Sequence, residues 1–161
     1  MIDLDALAAR VRAAIPLTTH LDFRFTAFDG ERLTLTAPLA PNHNDKGTFF
    51  AGSQAALLTL AGWACTTLMA DSVAANAAVG EGEASVDVVA VESSLQFRAP
   101  LHGAIEIRAR ADDGESGRFH QRLKRRGKAT LAILAQATDA QGVVVCEYQG
   151  LYLARTNNND T

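Results

Sequence analysis

The chain has 161 residues, 48% hydrophobic and 6% aromatic, with a formal net charge of -3. That length fits one domain and leaves no room for a nucleotide-binding domain beside a substrate domain, and the apolar content excludes global disorder. The weakly acidic balance argues against a general nucleic-acid binder, which needs a basic excess, and 30 alanines point to a core made by close backbone approach.

From Asp3 to Ile15, Leu4, Leu7, Ala8, Val11 and Ile15 recur at helical spacing, with Asp3 and Asp5 at the favourable end and Pro16 as the stop. Leu21 to Phe28 alternates, which places Leu21, Phe23, Phe25 and Ala27 on one face of a strand. Asp29-Gly30 is a hairpin turn, and Arg32 to Ala37 alternates again. Pro38 to Phe50 is dense in Pro, Asn, Asp and Gly and reads as loop. A helix follows from about Gly52 to Ala70, fraying toward Ala78, with no charge from Ser53 to Ala70. Its length touches the lower limit of a membrane span. Its Ser, Thr, Gln and Gly content and its many alanines instead fit a helix buried on all sides within a protein, so no span is expected.

A Gly- and Glu-rich connection, Val79 to Ala84, leads into a long strand, Ser85 to Phe97. Further strands are predicted over Ala104 to Ala111, Ala129 to Thr138 and Val143 to Ala154, with a short basic helix at Arg118 to Arg126. Residues 1–155 form the domain and 156–161 a polar tail. The fold class is α+β: a single apolar helix lacks other helices to bury it, and a curved antiparallel sheet wrapped around it is the economical solution.

Cys65 and Cys146 lie far apart without a CxxC pair, which suits buried free thiols in a reducing cytoplasm. The N-terminal residues lack a basic and then apolar signal pattern. The histidines at 20, 43, 102 and 120 show no metal-ligand spacing, no cofactor is implied, and there is no GxSxG elbow. The basic run Arg122, Lys124, Arg125, Arg126 and Lys128 is either a solvated face or an anion clamp for the phosphates of a carrier thiol or coenzyme A.

The segment APLAPNHNDKGTFFAGSQAALLTLAGWA spaces Asn42, Asn44, Thr48, Phe50, Gly52 and Ser53 as Asn-x-Asn, then Thr, then Phe-x-Gly-Ser. With ESSLQFRAPLHG and EYQGLYLAR it resembles the YiiD C-terminal-type thioesterase family of the hotdog superfamily, from about Leu4 to Arg155. The resemblance implies a hotdog fold and an acyl thioester of coenzyme A or acyl carrier protein as substrate. It also implies a site shared between subunits, hence a homodimer or dimer of dimers. In some relatives the domain follows an acetyltransferase domain; the length here implies the stand-alone form.

Thioester hydrolysis needs a polarised carbonyl and an oriented water. The start of the long helix, at Ala51, Gly52 and Ser53, offers free N–H groups and the positive dipole end, which suit an oxyanion. Gly52 admits an acyl group close to the backbone; otherwise it serves the turn, and Ser53 caps the helix. The amides of Asn42 and Asn44 either hold a carbonyl or water, or bond their own backbone. His43 and Asp45 are further candidate bases. Hotdog thioesterases of many kinds carry an acid on the central helix; here Thr59 stands near that register and can hold a water but not act as a base. Glu92, inside the apolar run VDVVAVESSLQF, is the relocated candidate: a partly buried carboxylate with a raised pKa. Its other reading is an ion pair or a dimer contact. Phe49, Phe50, Leu57 and Trp63 either line an acyl channel or are ordinary core. The expectation is an acyl-thioester hydrolase with Asn44, Ser53 and Glu92 as its catalytic residues and Asn42, Phe50, Gly52 and Thr59 as its substrate contacts. A non-catalytic acyl-thioester binding module and an enoyl-thioester hydratase or dehydratase are the alternatives.

Overall fold

The computed structural model of the chain describes residues 2–77 and 85–157. The elements, in chain order, are α1 (Leu4–Ala14), β1 (Arg24–Phe28), β2 (Arg32–Ala37), α2 (Ala51–Ala77), β3 (Ser85–Phe97), β4 (Ile105–Ala111), α3 (Glu115–Arg126), β5 (Lys128–Thr138) and β6 (Val144–Asn157). The predicted order of helices and strands is the observed one. The connection expected at Val79 to Ala84 and the end of the polar tail lie outside the described residues.

Each element follows from local chemistry. Asp3 caps α1 by accepting a hydrogen bond from the Ala6 amide, and Leu7, Ala8 and Val11 bury its apolar face. The β1–β2 turn is fixed by Asp29, whose carboxylate accepts from the amides of Glu31 and Arg32. Gly30 there has φ +106, a conformation that needs no Cβ. The strict alternation expected for β1 fails at its end. The register with β2 slips between Phe25 and Ala27, so this bulge turns Ala27 out to solvent.

All six strands form one antiparallel sheet in the order β1-β2-β4-β5-β6-β3. The sheet curves around α2, which packs on β2, β3, β4, β5 and β6. The molecule is therefore an α+β hotdog fold. Buried alanines line both sides of this layer: Ala61, Ala64 and Ala70 on the helix, Ala109, Ala135, Ala137 and Ala154 on the strands. Leu57, Leu58, Leu131, Ile107 and Ile133, at 0% exposure, each contribute about 1.5–3 kcal/mol. By length and composition α2 alone would suffice to cross a membrane; its apolarity is accounted for by the sheet that wraps it.

Both ends of α2 are placed by topology. Ala37, Ile105, Thr138, Val144 and Phe97 mark one end of the sheet, and the loop 38–50 enters α2 from there. β3 starts at the other end, with Ser85 opposite Asn157, and α3 bridges β4 and β5 at that same end. α3 is longer than expected by three residues, beginning at Glu115. It is pinned by buried Phe119 and Leu123 and closed by Gly127 at φ +66. β6 runs on to Asn157, past the expected Ala154, because the Thr156 amide donates to the Gly127 carbonyl at 2.8 Å.

Candidate functional site

The entrance of α2 is built by the loop before it. Phe49 donates its amide to the Leu101 carbonyl at 2.8 Å and Phe50 to the Asn42 carbonyl at 2.7 Å. Phe50 precedes the first helical residue, and its carbonyl accepts the Gln54 amide at 3.0 Å. The Phe50 side chain has no oxygen with which to cap the helix. Among the described residues, nothing accepts the amides of Ala51, Gly52 and Ser53. Ser53 lies within the first turn, so it does not occupy the cap position considered for it. Gly52 is constrained: a Cβ there would lie 2.4 Å from Cε1 of the Phe50 ring. That ring is half-exposed and lies against the helix start.

From Gly52, one stripe of α2 is left partly open by the sheet: Ser53, Ala55, Ala56, Thr59 and Trp63 are half-buried, while Leu57, Leu58 and Ala61 on the other side are fully buried. Trp63 ends the stripe by donating its indole N–H to the Val88 carbonyl of β3 at 3.0 Å. Phe49 and Leu57, two of the expected acyl-channel residues, are buried core instead; Phe50 and Trp63 border the stripe. The stripe holds no carboxylate. The first acid on α2 is Asp71, about 27 Å along the helix from Ser53 and about 12 Å beyond Trp63 at 1.5 Å per residue. Burial holds its carboxyl above the ordinary range, and Arg10 partly offsets this.

Both asparagines of the motif turn inward on the backbone. Asn42 is buried, and its amide donates to the carbonyls of Leu21 and Pro38, each at 2.9 Å. Asn44 accepts from the amides of Lys46 and Thr48 and donates to the Thr48 hydroxyl at 2.8 Å. The two residues therefore shape the loop that aims the helix. An open cleft at the helix entrance is lined by His43, Asn44, Asp45, Lys46, Phe50 and Ala51. Asp45 there is exposed and paired with Lys46 at 3.1 Å.

Glu92 is not brought to the helix entrance. It lies opposite Leu151 of β6, and directly opposed residues of an antiparallel pair share a face. The face turned to α2 carries Tyr148, Gly150, Tyr152 and Ala154, all buried, and Leu151 is on the other. The carboxylate expected to be partly buried is exposed, because β3 is the edge strand and the register slips between Ala90 and Glu92. Ser93, opposite Gly150, shares the inner face.

Two buried tyrosines were missed by sequence reasoning. The Tyr152 hydroxyl donates to the Thr59 carbonyl at 2.8 Å, so Tyr148 must be the donor in the 2.6 Å bond between the two hydroxyls. Burial, then the Tyr148 hydrogen bond, raises the Tyr152 phenol well above its ordinary value. Their signal was the EYQGLYLAR strand, in which Tyr148 and Tyr152 fall on the inward parity.

The model of the family described as "Putative thioesterase (yiiD_Cterm)" matches residues 4–156. Among solved structures, the chain is similar to a putative thioesterase of Shewanella oneidensis at 27% identity, covering 94% of this chain and 96% of that one, with a TM-score of 0.78. It is also similar to a probable thioesterase of Pseudomonas aeruginosa at 25% identity, covering 98% and 99%, with a TM-score of 0.73. A Haemophilus influenzae thioesterase, at 14% identity, coverage of 100% and 96% and a TM-score of 0.73, shares the fold. A match over nearly the whole chain, on a central helix entered through the Asn42-to-Ser53 motif, settles the family: the chain belongs to the YiiD C-terminal family of hotdog-fold, thioesterase-like proteins.

Proposed function

We propose that the chain hydrolyses acyl thioesters of coenzyme A or an acyl carrier protein, as a homodimer in a reducing cytoplasm. The observation that carries this reading is the set of unpartnered amides at Ala51, Gly52 and Ser53, at the head of a 27-residue helix and beside an open stripe. The thioester carbonyl oxygen sits against these amides, which hold it more strongly as negative charge develops on it. Water adds to the carbonyl carbon and gives up its protons to solvent, the C–S bond breaks to leave a carboxylate, and the sulfur departs as a thiolate that solvent can reprotonate. A thiol that ionises near pH 8.5 needs little help from a general acid to leave. The Ser53 and Thr59 hydroxyls line the water's approach; Asn42 and Asn44 position the loop; Phe50 borders the acyl group.

The second copy is motivated by β3. Its 13 residues form a sheet edge, with Val89, Val91 and Phe97 all exposed by more than half. A long apolar edge is a template for another strand, and a two-fold pairing there covers it and closes the stripe of α2.

Steady-state hydrolysis of an acyl-coenzyme A chain-length panel tests the reading; at least one member must turn over well above the uncatalysed rate. One observation favours a second reading, a non-catalytic acyl-thioester binding module: the open stripe of α2 carries no carboxylate. Tight binding without turnover across the panel would select it.

A further inference from the structure

The basic helix α3 has no part in the hydrolysis proposed for the α2 entrance. It and the following Lys128 carry six cations, Arg118, Arg122, Lys124, Arg125, Arg126 and Lys128, against one carboxylate, Glu115, on a chain of net charge -3. Arg118, Arg122 and Arg125 recur at i, i+4 and i+7 and form one exposed ridge. Arg118 pairs only loosely with Glu115, at 3.5 Å, and no ion pair engages the other five cations among the described residues. Some positive charge at a helix C-terminus stabilises the helix itself, but one or two residues suffice for that. The ridge is held rigidly, since Phe119 and Leu123 are buried beneath it and Gly127 fixes its end.

We infer that α3 is a docking ridge for an acidic carrier protein that presents its acyl chain on a phosphopantetheine arm, and that it serves the site of the opposite subunit. This rests on the hydrolase reading above. Within one chain the ridge is misplaced: α2 spans about 40 Å, its open end faces one end of the sheet, and α3 lies at the other. A second copy paired antiparallel along β3 reverses this. Its α3 comes to the end where Gly52 stands. α3 packs on β5, the third strand from the shared edge, so at about 4.8 Å per strand it stands within roughly 15 Å of the seam.

Other anionic occupants fit less well. The ridge is convex and exposed, whereas a nucleotide is held in a concave site. A membrane-bound amphipathic helix needs a free apolar face, and that of α3 is spent on the core. Extended RNA contact needs basic charge beyond one helix, and the chain as a whole is acidic. Arginine suits a carboxylate-rich surface because its planar fork donates two parallel hydrogen bonds to the oxygens of one carboxylate.

The test uses the acyl group that turns over fastest in the chain-length panel, loaded on an acidic acyl carrier protein and, separately, on coenzyme A. The variant is Arg118→Ala/Arg122→Ala/Arg125→Ala, which keeps helix-forming residues throughout; unchanged circular dichroism and melting show that it folds. The variant should raise KM for the acyl-carrier substrate at least tenfold and leave kcat/KM for the coenzyme A thioester within twofold. The salt dependence of the carrier reaction should flatten with it. No change toward the carrier protein overturns the inference, and so does an equal loss toward both substrates. If the wild type hydrolyses neither, the hydrolase reading has failed separately. Calorimetric titration with the loaded carrier then decides α3: binding lost in the variant supports the ridge. Absence of wild-type binding, or retention on anionic vesicles or RNA instead, overturns it.

Discussion

The Tyr152 hydroxyl reaches the Thr59 carbonyl at 2.8 Å, joining residues 93 positions apart and tying the last strand to the middle of the central helix. Room for this contact comes from Gly62, where a Cβ would lie 2.4 Å from the same hydroxyl oxygen. Glycine inside a helix costs about 1 kcal/mol relative to alanine, and the sheet accepts that cost to seat a tyrosine. Gly62→Ala should therefore destabilise by about 1–3 kcal/mol despite its better propensity. Tyr152→Phe should cost about 1–3 kcal/mol by leaving the buried Tyr148 hydroxyl without its acceptor. Urea denaturation measures both, and a stabilised Gly62→Ala would refute the contact.

Gly52 is close-packed in the same sense but with the opposite consequence. The atom in its way belongs to Phe50, a half-exposed ring with space to swing aside. Gly52→Ala should melt within a few degrees of the parent chain and lose about tenfold or more in kcat/KM, because the methyl intrudes on the carbonyl position. Full activity in a well-folded variant would dislodge the helix start as the site.

Glu92 separates two accounts of the water. Its place opposite Leu151, on the sheet face away from α2, predicts that Glu92→Gln turns over within twofold of the parent. A loss of a hundredfold or more at unchanged stability would restore it as the base.

The β3 edge predicts a subunit contact. Val91 stands at the register slip near the middle of the strand, so in a two-fold pairing the two copies of it lie close together. Val91→Glu then sets like charges near each other, which is unfavourable. Light scattering should show a dimer for the parent chain and a monomer with little turnover for the variant; a monomeric parent would remove the basis for a shared site.

Cys65 gives a pH signature. Burial foremost, and then the Asp29 charge, pushes its thiol from an ordinary 9.0 up to about 12. The unfolded chain releases this proton first, so stability is unaffected below about pH 9 and falls as pH rises from 9.0 to about 12. At about 1.36 kcal/mol per unit the loss approaches roughly 4 kcal/mol. Tyr152, shifted the same way, adds to the alkaline loss. Cys65→Ala should flatten part of the slope. Cys65 and Cys146, both buried, should resist alkylation at pH 8 until the chain unfolds; rapid labelling of the native protein would contradict their burial.

Local chemistry made much of this molecule legible. Apolar spacing marked α1, an uncharged run marked α2, alternation marked the strands, and Asp29-Gly30 marked the turn, because each depends on neighbours within a few residues. A charge-free helix among strands also required a sheet to wrap it. The loop motif located the entrance of α2 for the same reason: Asn44 and Thr48 bond each other across four residues.

Which groups share a face was decided only by tertiary structure. Alternation placed Ala27 inward, and a bulge set by pairing with β2 turned it out. Glu92 looked half-buried because apolar residues flank it, yet burial depends on what pairs with a strand, and β3 has a neighbour on one side only. Asn42 and Asn44 found their backbone partners only in the folded loop, which leaves the buried Asn42 Oδ1 without a partner among the described residues. The sequence determined the elements and their order, since those follow from short-range periodicity. The long-range register between strands decided the faces and the seat of Tyr152 under Thr59.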